Sequence, residues 1–115
     1  MEYLYGEFTT DQLSKYKKRL HSSFYWLLNY IDPQTKESYK NVDLDKYLST
    51  LLHKAGGLSS LFGDPPEYVE MMALLQEILN LHRAGNLEFW EARRIILKLH
   101  TIVDTLPTEG GESDV

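Results

Sequence analysis

The stretch that decides the fold is Leu79-Asn80-Leu81-His82-Arg83-Ala84-Gly85-Asn86-Leu87-Glu88-Phe89-Trp90-Glu91-Ala92. Apolar residues run into it at helical spacing and resume beyond it. Gly85-Asn86 joins a C-terminal helix stop to a residue suited to cap the next helix. So short a link makes the flanking helices an antiparallel hairpin. Folding the chain at this point pairs Leu79 with Ala92, Leu75 with Ile96, Met72 with Leu99 and Tyr68 with Val103. Every pair is apolar, so local pattern and topology agree.

Working outward, the upstream helix of the hairpin starts at Asp64-Pro65-Pro66-Glu67, which offers an acceptor at the N-cap, proline at N1 and an acid at N3. It extends to Ala84. The downstream helix is capped by Asn86 and covers residues 87–106, ending before Pro107. A first helix over Thr10–Ile31 carries Leu13, Tyr16, Leu20, Phe24, Leu27, Leu28 and Ile31 on one stripe. Thr9 with Gln12 has capping-box spacing, Phe8 with Leu13 has staple spacing, and Asp32-Pro33 ends the helix. After a polar connection over residues 32–42, a second helix is expected from its N-cap Asp43 to Ala55. Gly56-Gly57 reads as its stop, with Leu58–Phe62 a separate helical turn plugging the core. The expected fold is therefore all-α. It is a four-helix, bundle-like single domain over residues 1–106 with a C-terminal helical hairpin, followed by a disordered acidic tail at 107–115. In that arrangement the first helix crosses the hairpin and a shorter second helix closes the side.

Composition narrows the function classes. The 115 residues carry a net charge of −5, and the charge is uneven. Residues 1–60 hold eight Lys/Arg against seven Asp/Glu, and residues 61–115 hold four against ten. An acidic balance disfavours nucleic acid as a partner. No apolar run reaches the ~20 residues of a membrane-spanning helix, so no membrane partner is expected. The absence of cysteine removes disulfides, thiolate metal sites and cysteine nucleophiles. With no basic-then-apolar leader, the expected location is cytoplasmic.

Motifs for chemistry fail one by one. His21 and His53 have neither carboxylate nor histidine at helical neighbour positions, and the hairpin register sets His82 and His100 some 15 Å apart along the axis. The four histidines are thus expected to be too far apart to cooperate, as surface or boundary residues. Asn41-Val42-Asp43-Leu44-Asp45 opens like a calcium loop, but Lys46 and Leu52 stand where glycine and glutamate are needed. Gly56-Gly57 lacks phosphate-loop spacing, and Ser22-Ser23 and Ser59-Ser60 have no base partner. No catalytic residue, metal or cofactor is expected.

Two features remain. Eight tyrosines, two tryptophans and four phenylalanines exceed what a small bundle needs inside. Tyr25, Trp26 and Tyr30 flank the stripe of the first helix and are the candidate anchors of an interface. The basic run Lys15-Tyr16-Lys17-Lys18-Arg19 offers Lys17, Lys18 and Arg19 for steering, with its cations fanned over the remaining helix faces. A second cationic cluster is Arg93, Arg94 and Lys98. The expected function is a non-catalytic interaction or regulatory module that binds another protein or itself. The alternatives are an acidic inhibitor of a nucleic-acid-binding enzyme, presenting Glu70, Glu77, Glu88 and Glu91 in place of phosphates, and a nucleic-acid-binding protein or small enzyme of unrecognised type.

Overall fold

The computed structural model describes residues 10–106, and over them the chain is all-α. Helix α1 spans Thr10–Ile31, α2 Leu44–Leu61, α3 Pro66–Arg83 and α4 Phe89–Asp104, with one 3-10 turn at Lys36–Tyr39 in the first connection. The Thr9–Gln12 capping box, the Phe8–Leu13 staple and the acidic tail lie outside the described residues. The stripe of α1 is the expected one. Leu13, Leu20, Phe24, Leu27 and Ile31 are buried, and Tyr16 and Leu28 pack half-buried against them.

Helix α2 departs from the sequence reading: it does not stop at Gly56-Gly57 but continues to Leu61. Neither glycine adopts a positive φ. The buried positions Leu48, Leu51, Ala55, Ser59 and Phe62 step by three and four straight through the pair. Gly56 lies against Met72, whose sulfur is 3.6 Å from where its Cβ would be. That contact places Met72 against α2; it is half-buried, and its neighbour Met71 takes the fully buried position on α3. The true stop is Gly63, at φ 83°. The Asp64 amide donates to the Ser59 carbonyl at 2.7 Å and the Gly63 amide to Ser60 at 3.3 Å, closing the last turn. Asp64 is therefore not the N-cap of α3. It sits at φ 53°, a conformation aspartate tolerates, and its carboxylate accepts the hydroxyl of buried Ser59 at 2.9 Å. Pro65 takes the cap and Pro66 the first helical position.

Helix α3 ends the same way, at the glycine singled out from the sequence. Gly85 has φ 74°, its amide donates to His82, and the Asn86 amide donates to Leu81 at 2.9 Å. Asn86 is consumed by that closure, so it does not cap α4. The cap is Glu88, and α4 begins two residues later than its sequence signal. Asp43 caps α2 as expected, its side chain accepting the Lys46 amide at 3.1 Å.

Three sets of contacts fix the topology. His21 meets His100 while Lys17 reaches the end of α4, so α1 and α4 run antiparallel. Tyr30 packs on Tyr47 and Tyr16 on Phe62, so α1 and α2 are antiparallel. Arg83 pairs with Asp45 at 2.7 Å and Met72 packs at Gly56, so α2 and α3 are antiparallel too. It follows that α3 and α4 are antiparallel, which is the hairpin. Helices α1 and α3 form one diagonal and α2 and α4 the other. This is an up-down-up-down bundle. The first helix does not cross the hairpin, and α2, at 18 residues, is as long as α3. Phe24, Leu27, Leu48, Met71, Leu75, Ile78, Ile95, Ile96, Leu99 and Val103 fill the centre. Complete burial of each large aliphatic or aromatic side chain is worth roughly 1.5–3 kcal/mol before entropy is counted. No helix among the described residues is long and apolar enough to cross a membrane.

Candidate functional site

Helix α1 touches α4 on one side and α2 on the other, and the chemistry of the molecule gathers on those two seams. On the α2 side, residues at 19, 23, 26 and 30 follow one another along the helix surface. The upper half of this seam is closed by rings. Tyr30 meets Tyr47 edge-on with centroids 5.0 Å apart and Tyr39 at 5.3 Å, and Trp26 meets Tyr39 at 5.8 Å. The Tyr47 hydroxyl donates to the Ser23 carbonyl at 2.7 Å. Burial first, then the neighbouring Tyr30, pushes that phenol up to about 12, against the hydrogen bond to Ser23. Tyr47 is therefore a neutral donor across the working pH range.

This cluster sorts the three expected anchors. Tyr30 is half-buried within it, whereas Tyr25 is 57% and Trp26 39% exposed. The Tyr25 and Trp26 rings meet edge-to-face at 5.6 Å, and Trp26 rests on Tyr30 at 6.1 Å. An outward-facing pair is thus held from beneath by other rings. The sequence reading overlooked a second exposed apolar set: Trp90, 73% exposed, with Val69 and Leu97. The signal was present, because position 90 lies away from the buried Ala92, Ile96, Leu99 and Val103 stripe on a helical wheel. Trp90 lines a shallow groove of about 620 Å³ that also contains Glu70, Arg93, Arg94 and Lys98. Arg93 lies over the Trp90 ring at 5.8 Å, and Arg94 approaches Glu91 at 3.8 Å. Glu70 and Glu91 therefore stand among cations, not on a bare anionic face.

The basic run fans out as expected, to three different surroundings. The Lys17 ammonium donates to the backbone carbonyls of Asp104 and Leu106 at 3.0 and 3.4 Å, satisfying the C-terminal end of α4. Lys18 is exposed. Arg19 lies on the rim of a groove along the lower half of the α1–α2 seam, about 420 Å³ in volume. Its lining includes Tyr16, Leu20, Leu51, Lys54 and Leu58.

The α1–α4 seam corrects the reading of the histidines. His21 and His100 are not isolated: their rings lie edge to edge, only 12° from parallel, with centroids 5.0 Å and Nδ1 atoms 2.8 Å apart. His21 Nε2 lies 2.9 Å from Asp104 Oδ1. An ionised carboxylate only accepts, so His21 Nε2 carries a proton and donates it. In the neutral ring His21 Nδ1 is then an acceptor, and His100 Nδ1–H donates to it. Sequence neighbours at three and four residues were the wrong place to look, because the partners come from the opposite, antiparallel helix. The three groups form a chain, with Asp104 on the far nitrogen of His21, so they do not converge on one point. Among the described residues no three His, Cys, Asp or Glu side chains are arranged to hold a metal ion. The neighbouring hydroxyls of Thr101 and Thr105 donate to carbonyls of their own helix.

Burial and then the nearby His21 lower the pKa of His100, while Asp104 raises it less. The folded state thus binds this proton more weakly than the unfolded chain, whose histidine titrates near 6.5. The stability contributed by neutral His100 is fully present above about pH 6.5 and is lost as pH falls through the lowered folded value. The urea midpoint should fall between about pH 7 and pH 5.5, and His100→Gln should flatten that part of the profile. A wild-type midpoint that stays level over this interval contradicts the assignment. At the other end of the bundle Asp45 is held below the ordinary carboxylate range, chiefly by its hydrogen bond from Arg83.

No protein-family model, curated protein or solved structure matches this chain.

Proposed function

We propose that this bundle is a non-catalytic protein-interaction module whose contact surface centres on Tyr25 and Trp26. The supporting observation is the pair itself: two large amphipathic rings, exposed, in mutual contact and braced by Tyr30 and Tyr39. Rings already held in place lose little freedom on binding, which is why tyrosine and tryptophan dominate the energetic centres of interfaces. Lys18, exposed seven residues before Tyr25, is positioned to steer an acidic partner toward the same side of α1. The bound species is another protein or a second copy of this chain.

Light scattering over a wide concentration range, together with affinity capture from the native host, tests this reading. A Tyr25→Ala/Trp26→Ala variant should stay folded, losing about 1–2 kcal/mol of stability. It should also lose at least tenfold of the self-association or of the specific capture shown by the wild type. A wild-type chain that is monomeric throughout and captures nothing specific contradicts the proposal. So does a double variant that binds undiminished.

A further inference from the structure

Where the α1–α2 seam is not closed by rings it is a groove with one chemical character. Its floor is Leu20, Leu51, Leu58 and Leu61, and its cations are Arg19 and Lys54. Among the described residues no carboxylate lines it, although the chain as a whole is acidic. Among the described residues neither Arg19 nor Lys54 is engaged in an ion pair. Its volume, about 420 Å³, falls within the range of small-molecule sites, roughly 300–1,000 Å³.

Gly57 supplies an independent observation. It lies inside α2, and its φ is not positive, so the backbone does not require glycine there. A Cβ at this position would meet no atom within 4 Å, so packing does not require it either. Gly56, one residue earlier, differs in having Met72 against it. A glycine in a helix interior is less favourable than alanine by about 1 kcal/mol. Gly57 is one of the lining residues of the groove, so a long side chain at this position would project into it.

We propose that this groove binds an aliphatic carboxylate, with the alkyl chain along the four leucines and the head group held between Arg19 and Lys54. Apolar floor and uniformly cationic rim match the two ends of such a molecule, and a guanidinium offers its paired N–H groups to both carboxylate oxygens. This inference uses different residues from the Tyr25–Trp26 surface and stands or falls separately from it.

Isothermal titration of the full chain with octanoate, decanoate and dodecanoate, below their micelle concentrations, is the test. Saturable one-to-one binding is expected, with affinity rising about fourfold for each methylene buried. Decanol should bind at least tenfold more weakly than decanoate, and Arg19→Gln or Lys54→Gln should each weaken decanoate by about tenfold. Gly57→Leu fills the groove and should abolish binding. Gly57→Ala, a control for folding, should raise the unfolding midpoint and keep decanoate affinity within a few-fold. The proposal is overturned by absence of saturable binding for all three acids, by decanol binding as well as decanoate, or by a folded Gly57→Leu variant with full affinity. An amphipathic Glu/Leu peptide that binds where decanoate does not also overturns it, and assigns the groove to a protein partner.

Discussion

Phe24→Ala should cost about 3–5 kcal/mol of stability, a large share of the 5–15 kcal/mol typical of a domain this size. Phe24 is fully buried at the middle of α1, and its ring meets that of His100 edge-on at 5.9 Å. Truncation removes the transfer free energy of the ring and leaves a cavity in a close-packed centre, whose members Leu27, Ile96 and Leu99 are also fully buried and so have little freedom to collapse into it. It also removes the wall that keeps His100 desolvated, so the pH dependence of stability should shrink in the same variant. Urea unfolding at neutral pH checks the magnitude, and repeating it at lower pH checks the coupling. Trp90→Ala is the matched control. That side chain is larger, but it is mostly in solvent, and its loss should cost less than about 1 kcal/mol.

The second large effect is expected at a residue that touches almost nothing. Gly57→Pro should destabilise the bundle by about 3 kcal/mol or more, because proline removes an amide donor and its ring collides with the carbonyl four residues earlier. That penalty exists only if α2 is continuous through the glycine pair. Were the helix to end at Ala55, position 57 would lie in a connection where proline is readily accepted. Disruption at this point also unseats Ser59 and Phe62, the buried residues of the last turns. Gly57→Ala should move stability the other way, by about 1 kcal/mol, since alanine favours the same helix. Urea midpoints of the two variants, moving in opposite directions from wild type, are the expected signature.

The contrast between these glycines shows what a single sequence can disclose. Gly85 and Gly56-Gly57 look alike as helix stops. Gly85 has a polar Asn86 and a fresh apolar phase after it, so the stop is written locally. After Gly57 the apolar phase continues without a break through Leu58, Leu61 and Phe62, and the neighbours that use it come from other helices: Phe62 meets Tyr68 of α3 at 5.5 Å and Tyr16 of α1 at 6.2 Å. The periodicity was legible; the reason to prefer it over the glycine signal was tertiary. Asp64 and Asn86 show the same thing on a smaller scale. Both are good capping residues by type, yet both are taken up in ending the preceding helix.

The surface chemistry divides along the same line. Exposure of Tyr25 and Trp26 follows from their phase on α1 and could be read in advance. The histidine pair could not, because it depends on the register between α1 and α4, elements separated by most of the chain. The hairpin register relates His82 to His100 only, whereas the partner of His100 comes from α1. Lys17 illustrates a related limit: a cation in a basic run looks free, but here it satisfies the carbonyls at the end of a distant helix. The groove beside Arg19 is invisible in the same way, since its two walls come from helices whose facing is set only in the folded molecule.

The antiparallel seating of α1 on α4 underlies both the closed histidine seam and the open groove opposite it. Side-chain proton–nitrogen NMR of the histidines at about pH 7.5 tests that seating most directly. His21 is expected as the Nε2–H tautomer and His100 as the Nδ1–H tautomer, with the His100 Nδ1 proton slow to exchange and correlated to the His21 ring. Two rings with ordinary mixed tautomers, freely exchanging protons and no contact between them would contradict it.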